Sequence, residues 1–302
     1  MTYDRDLVGY GESPPDPRWP GGARLALSIV LNYEEGGERS IQHGDAESEA
    51  FLQEVVGMAP LAGVRNLQVE SMYEYGSRVG FWRLMRLFAE RRIPISVFAV
   101  GMALERHPAA ARAIVEGGHE VVSHGYRWLD YQFVEEAVER EHIRLAVASL
   151  TRVTGGRPLG WYTGRLSPNT RRLVVEEGGF LYDSDAYNDD LPYWTTVSGR
   201  AHLVIPYTLD NNDMKFGTPQ GFNSGEQFYA YLRDAFDVLY AEGARTPRMM
   251  SVGLHMRLVG RPGRFAALQR FLDHVQQHAG VWICRRVDIA RHWIQQHPAS
   301  GA

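Results

Sequence analysis

The chain has 302 residues, enough for one large α/β barrel or two ordinary domains. Its apolar (44%) and charged (23%) fractions are those of a globular protein, and a net charge of −4 gives no electrostatic case for binding nucleic acid or an anionic membrane. No apolar run approaches a membrane span and no basic-then-apolar leader opens the chain, so a cytoplasmic enzyme is the expectation.

Residues 1–23 are rich in Pro and Gly and read as an irregular arm, with Tyr10 and Trp19 available as surface anchors. Leu25 to Tyr33 is a short continuous apolar run, the pattern of a strand buried on both faces. It ends abruptly in Glu34, Glu35 and two glycines. Side chains alternate along a strand, so one member of the glutamate pair is expected to face a cleft. From Gly36 to about Gly76 no strand is evident, and a short helix is expected at Glu47 to Val56; a segment this long suits a lid or binding loop.

Regular alternation then begins. Phe81, Leu84, Met85 and Phe88 mark one helix face, and 93–100 is a strand. A helix over 109–117 and a strand over 119–124 follow. Residues 134–154 form a long helix, and 159–163 a short strand. Ser167-Pro168 reads as an N-cap and first helical residue, and 180–183 is again a strand. Residues 186–225 carry many Asp, Asn, Pro and aromatic residues around one expected strand at 202–207, and read as a second insertion. Asn223 with Glu226 resembles a capping box, followed by a helix whose buried stripe is Phe228, Leu232, Ala235, Phe236 and Leu239. A strand at 249–255, a helix at 265–275, a strand at 281–284 and a helix at 288–296 close the chain. The single cysteine, Cys284, lies in the last strand and reads as a buried, inert thiol. This order predicts a parallel barrel or a doubly wound sheet. No strand is followed by a glycine-rich phosphate-binding turn, so a nucleotide cofactor is not expected.

Ionisable residues recur at strand ends: Glu34 and Glu35, His124, Arg165, Asp183 and Asp185, His255. The ends of parallel strands converge on one face, so their repetition marks a site. His119-Glu120 with His124 is not a zinc-protease motif, because five residues separate the histidines and a strand would point them apart.

The ordered words NYEEG, SHGYRW, YTGR, DSD and LH resemble the motifs of the polysaccharide deacetylases (NodB-homology family). That resemblance implies a distorted (β/α) barrel as a single domain over 1–302. The N-terminal arm and insertions near 36–76 and 186–225 would cap its mouth and supply oligomer contacts, with a homotetramer as the implied assembly. In the family a first acidic residue is the base, a second acidic residue and two histidines four apart hold a metal, and a late histidine is the acid. Here the acidic pair is Glu34 and Glu35, the first histidine is His124, and the second falls on Trp128, which cannot ligate a metal.

That departure is similar to the metal-independent allantoinase branch, as are LNYEEGGERS, VIPYTLDNND and GLHMRLVGRP. The implied function is hydrolysis of the hydantoin ring of allantoin to allantoate in purine catabolism, with no metal and no cofactor. Glu34 and His255 would be catalytic, Glu34 the first candidate for the base and His255 for the acid, with exchanged roles or a single acting group as the alternatives, and a closed pocket is expected to raise the pKa of Glu34. Glu35, His124, Trp128, Arg165 and Asp185 are the expected substrate-binding residues, Trp128 packing flat on the planar ring. A metal-dependent deacetylase of chitin or peptidoglycan is the alternative, and a barrel that only binds a small ligand is a third reading.

Overall fold

The computed structural model describes residues 5–299 and holds a curled, nine-stranded α/β sheet. The strands are β1 (Leu25–Tyr33), β2 (Ser96–Ala99), β3 (Glu120–Ser123), β4 (Gly160–Trp161), β5 (Tyr182–Asp183), β6 (Tyr193–Val197), β7 (Arg200–Val204), β8 (Arg248–His255) and β9 (Val281–Ile283). Their order is β6-β7-β5-β4-β3-β2-β1-β8, and every pairing is parallel except the β6–β7 hairpin. Strand β8 pairs along most of β1, whereas β2 takes the second half of β1 and β9 its first three residues. At the free edge of β8 the chain at Asn212 forms a parallel bridge with Gly253, and the Asn211 carbonyl accepts from the Gly253 N–H at 2.9 Å.

The helices are α1 (Leu67–Tyr75), α2 (Phe81–Arg91), α3 (Gly101–Glu105), α4 (Pro108–Glu116), α5 (Glu136–Thr154), α6 (Thr170–Glu177), α7 (Gly225–Glu242), α8 (Pro262–Gln276) and α9 (Arg286–Gln296). Strand β1 organises the core because all nine of its residues are buried. Leu25, Leu27, Ile29, Leu31 and Tyr33 pack with Phe81, Phe88, Phe236 and Phe271 of the helical layer. Ala26 and Val30 face the opposite side, with Phe98, Tyr162 and Tyr207. On that side Arg286 is fully buried and donates to the hydroxyls of Ser28, Ser184 and Ser251 and to the carbonyls of Ile205 and Pro206. This neutral acceptor cage answers the desolvation of a buried charge.

The arm is anchored as its aromatics suggest: the Trp19 indole donates to the Arg248 carbonyl and the Tyr10 hydroxyl to that of Pro192. Cys284 is buried, which pushes its thiol well above the usual range. Four local expectations are corrected. Glu47 to Val56 is not helical. The Glu49 carboxylate accepts from the Ala50 and Phe51 N–H groups, the Gln53 amide bonds Ala50 and Val55, and Leu52 has φ of 50°. Side chains there take the backbone partners a helix would use. Helix α6 starts at Thr170 rather than Pro168, because Ser167 and Thr170 both donate to buried Glu139. The N-cap of α7 is Ser224 and not Asn223, its side chain accepting from the Gln227 N–H. The strand expected at 202–207 is half of the hairpin β6–β7, whose two-residue turn Ser198-Gly199 has positive φ at both positions, as a type I′ turn requires.

Candidate active site

Parity along β1 continues past its end. Asn32 points inward, donating to the Tyr207 hydroxyl and the Leu254 carbonyl, and Glu34 follows it into a pocket of about 250 Å³. His124 just beyond β3, Trp128 and Arg165 in the following loops, and His255 at the end of β8 line the same pocket. Phe51 and Leu52, from the segment between β1 and α1, complete one wall. A larger cleft of about 720 Å³ shares Tyr187 and Tyr207 with it but has neither a histidine nor a glutamate in its lining.

Glu35 and Asp185 do not line the pocket. Glu35 projects to the other side of β1, with one oxygen accepting from the Glu34 N–H at 3.1 Å. Asp185 accepts from the Thr163 and Gly164 N–H groups at 2.8–3.0 Å and so braces the loop that carries Tyr162 and Arg165. Burial and the neighbouring Asp183 charge push Asp185 up to about 7.

The centre of the site is a fully buried residue that no strand-end pattern pointed to, Arg257. Its Nη2 donates to Glu34 Oε2 at 2.7 Å, its Nη1 to Glu35 Oε1 at 3.2 Å, and its Nε to the Leu52 carbonyl at 2.8 Å. The guanidinium lies 4.2 Å from the Tyr73 ring centroid and 5.3 Å from that of Trp128, within cation–π range. Its seat is made by a single π-helical turn, Gly76–Gly80, between α1 and α2. A Cβ on Gly76 would overlap Glu35 Oε1, and one on Gly80 would overlap the Met256 carbonyl. Only glycine lets that turn approach the backbone beside Arg257, and π-turns of this kind recur at functional sites.

Around Glu34 the charges alternate. His124 Nε2 is 3.3 Å and His255 Nε2 3.4 Å from Glu34 Oε1. The other nitrogen of His255 meets Asp213 Oδ1 at 2.6 Å, and Asp213 also accepts from the His255 and Val259 N–H groups. Asp213 is a second residue that no sequence pattern singled out; it opens a 3-10 turn, Asp213–Gly217, in the segment that follows β7. Burial pushes Glu34 up, but Arg257, His255 and His124 outweigh it and hold the carboxyl well below the usual range. This corrects the expectation of a raised Glu34. Burial lowers His255, yet Glu34 and Asp213 carry it up to about 9. Burial and the Glu34 charge raise Glu35 against the pull of Arg257. The resting site therefore pairs an ionised Glu34 with a protonated His255.

The resemblance implies a metal held by Glu35, His124 and position 128, and these residues do not fit one. Glu35 has one oxygen on Arg257 and the other on a backbone N–H, His124 turns its Nε2 to Glu34, and an indole offers no lone pair. A guanidinium already supplies positive charge against both glutamates. Trp128 is stacked at 6.0 Å on Phe51 and carries the Arg165 guanidinium 4.2 Å from its centroid. Arg165 donates Nη2 to the Trp128 carbonyl at 3.1 Å, while its buried Nε has no partner in the protein.

Comparison with known proteins agrees with this frame. Residues 65–178 match the family model described as polysaccharide deacetylase. A Schizosaccharomyces pombe protein of the polysaccharide deacetylase type is 44% identical, over 99% of each chain. The crystal structure of PuuE allantoinase is 63% identical, covering 99% of this chain and 100% of that one with a TM-score of 0.98. A structure of the polysaccharide deacetylase type from Pseudomonas aeruginosa PAO1 matches with the same identity and coverage and a TM-score of 0.97.

Proposed function

Starting from the fact that the chain belongs to the polysaccharide deacetylase family, whose fold and relatives mark it as a hydrolase, we propose that it is an allantoinase. It opens the hydantoin ring of allantoin to allantoate by acid–base catalysis without a metal. The observation that carries this reading is the seat of Arg257, whose guanidinium bridges Glu34 and Glu35 beside Trp128. The 63% identity to PuuE allantoinase supports the choice of substrate, and a pocket of about 250 Å³ has the scale of a small heterocycle rather than a glycan chain.

Hydrolysis of a cyclic amide needs a proton taken from water, an oxyanion stabilised and a proton given to the departing nitrogen. Glu34 is ionised at rest and takes the water's proton as that oxygen attacks the ring carbonyl. Its low basicity is offset by proximity, since the base is held rigidly by Arg257 and His124. The tetrahedral oxyanion collapses with cleavage of the ring C–N bond, and His255 Nε2 protonates the leaving nitrogen. Asp213 holds Nδ1, so Nε2 carries the mobile proton. Arg165 offers its unpartnered Nε–H to a substrate carbonyl, and the Trp128 indole is a wall for a planar ring. Glu35 and Asp185 act behind the wall, holding Arg257 and the 163–165 loop. The assembly that the family resemblance implies is a homotetramer, which light scattering measures.

The test is ring opening of allantoin by the purified protein before and after exhaustive chelation. Turnover that survives supports the proposal. Turnover lost and restored by zinc, or release of acetate from an acetylated glycan with no ureide opened, favours a metal-dependent deacetylase.

A further inference from the structure

Away from the pocket, on the outer helical layer, three side chains of ligand type converge where α7 lies against α8. Asp237 comes from α7, His274 from the last turn of α8 and His278 from the residues that follow, and one ligand atom of each lies within 4.8 Å of the others. The i, i+4 spacing puts both imidazoles on one side of the helix end, with ring centroids 4.7 Å apart. We propose that Asp237, His274 and His278 bind a divalent cation of the zinc, nickel or copper class, pinning the end of α8 to α7.

The donor set selects that class, since two imidazoles and one carboxylate leave a fourth position for water. His278 is already set for the role. Its Nδ1 lies 2.9 Å from the His274 carbonyl, which can only accept, so Nδ1 carries the hydrogen and Nε2 of the neutral ring keeps its lone pair. A backbone carbonyl fixing one ring nitrogen is how metal-ligating histidines are commonly oriented. His274 Nε2 faces Asp237 Oδ1 at 2.7 Å. Without a cation that nitrogen donates its hydrogen to the carboxylate. A bound cation takes the nitrogen lone pair and one carboxylate oxygen, and the ring either releases a proton or moves its hydrogen to Nδ1.

The surroundings favour the site. The Phe236 ring meets His274 at 5.5 Å and His278 at 5.1 Å, and Tyr240 meets His278 at 5.1 Å, so the rings are braced edge to face. The C-terminus of α8 presents the negative end of its dipole. Arg233 and Arg270, one turn before Asp237 and His274, are committed to Asp234 and Glu226. The Asp237 side chain is 47% exposed, which opens the site to ions from solvent.

The experiment uses untagged full-length protein stripped with a chelator and titrated with zinc, with copper for spectroscopy. Expected are one zinc per chain by calorimetry, nitrogen splitting in the copper spectrum and a zinc-dependent rise in melting temperature. His278→Ala leaves the Asp237–His274 pair intact and should weaken zinc binding at least tenfold; His274→Ala should do the same. Absence of saturable binding, or wild-type affinity retained in both variants, overturns the proposal. The site is independent of the pocket, so His278→Ala should leave turnover unchanged. Zinc found in the purified protein would then trace to this helix end.

Discussion

Arg257 Nη2 and Glu34 Oε2 lie 2.7 Å apart, and each side chain is almost wholly withdrawn from solvent. A buried pair of this kind adds little net stability over an apolar pair of the same shape, but removing one partner strands the other charge. Arg257→Met strands Glu34 and is expected to destabilise the fold by about 3–5 kcal/mol. Arg257→Lys keeps a charge but loses the planar fork that reaches both glutamates and Leu52, so it should fall between wild type and Met. Urea unfolding checks this as a lowered midpoint at unchanged slope.

The protonation of His255 sets a pH window. Its folded pKa of about 9 lies above the ordinary 6.5, so its contribution to stability is full below 6.5 and is lost as pH rises through about 9. Glu34 is depressed below 4.5, so its contribution is full above that value and is lost as pH falls through its lower folded pKa. With His255 as the acid, turnover should fall on the alkaline side near pH 9. Asp213→Asn removes one charge that raises His255 and should move that limb to lower pH. An alkaline limb unmoved by this change would assign the acid to another group.

Glu34→Gln and His255→Ala each remove one proton-transfer partner and should lower turnover by roughly 10²–10⁴. They serve the two proton transfers of one hydrolysis and lie 3.4 Å apart, each setting the other's charge, so the double variant should be little worse than the poorer single one. Steady-state rates on allantoin with circular dichroism as a folding control decide it; two full and additive losses would mean the groups act independently.

Trp128→His places an imidazole where the family's second metal histidine falls. Zinc should still not bind tightly in the pocket, because both Glu35 oxygens are engaged, one of them by Arg257. Calorimetry in a His278→Ala background, which removes the outer candidate site, reads the pocket alone. A tight zinc site appearing there would show that Trp128, and not Arg257, keeps the metal out.

Much of the frame was legible in the chain. The apolar run Leu25–Tyr33 announced a strand buried on both faces, and alternation continued past its end to separate Glu34 from Glu35. Such readings succeed because backbone geometry repeats every two or 3.6 residues, so a local pattern fixes which way a side chain points. The stripe Phe81, Leu84, Met85, Phe88 is buried for the same reason. The Glu47–Val56 segment departs from the expected helix because its side chains, through Glu49 and Gln53, take over the backbone's hydrogen bonds.

The sequence alone determined which residue types stand at the strand ends and that an indole stands at position 128, where the family resemblance implies a histidine. Tertiary structure alone decided their charge states. Arg257 is 223 residues from Glu34, and Asp213 is 42 from His255, and no periodicity links either pair. A pKa depends on what surrounds a group in space and on how little water remains there, and both arise only when distant segments close over it.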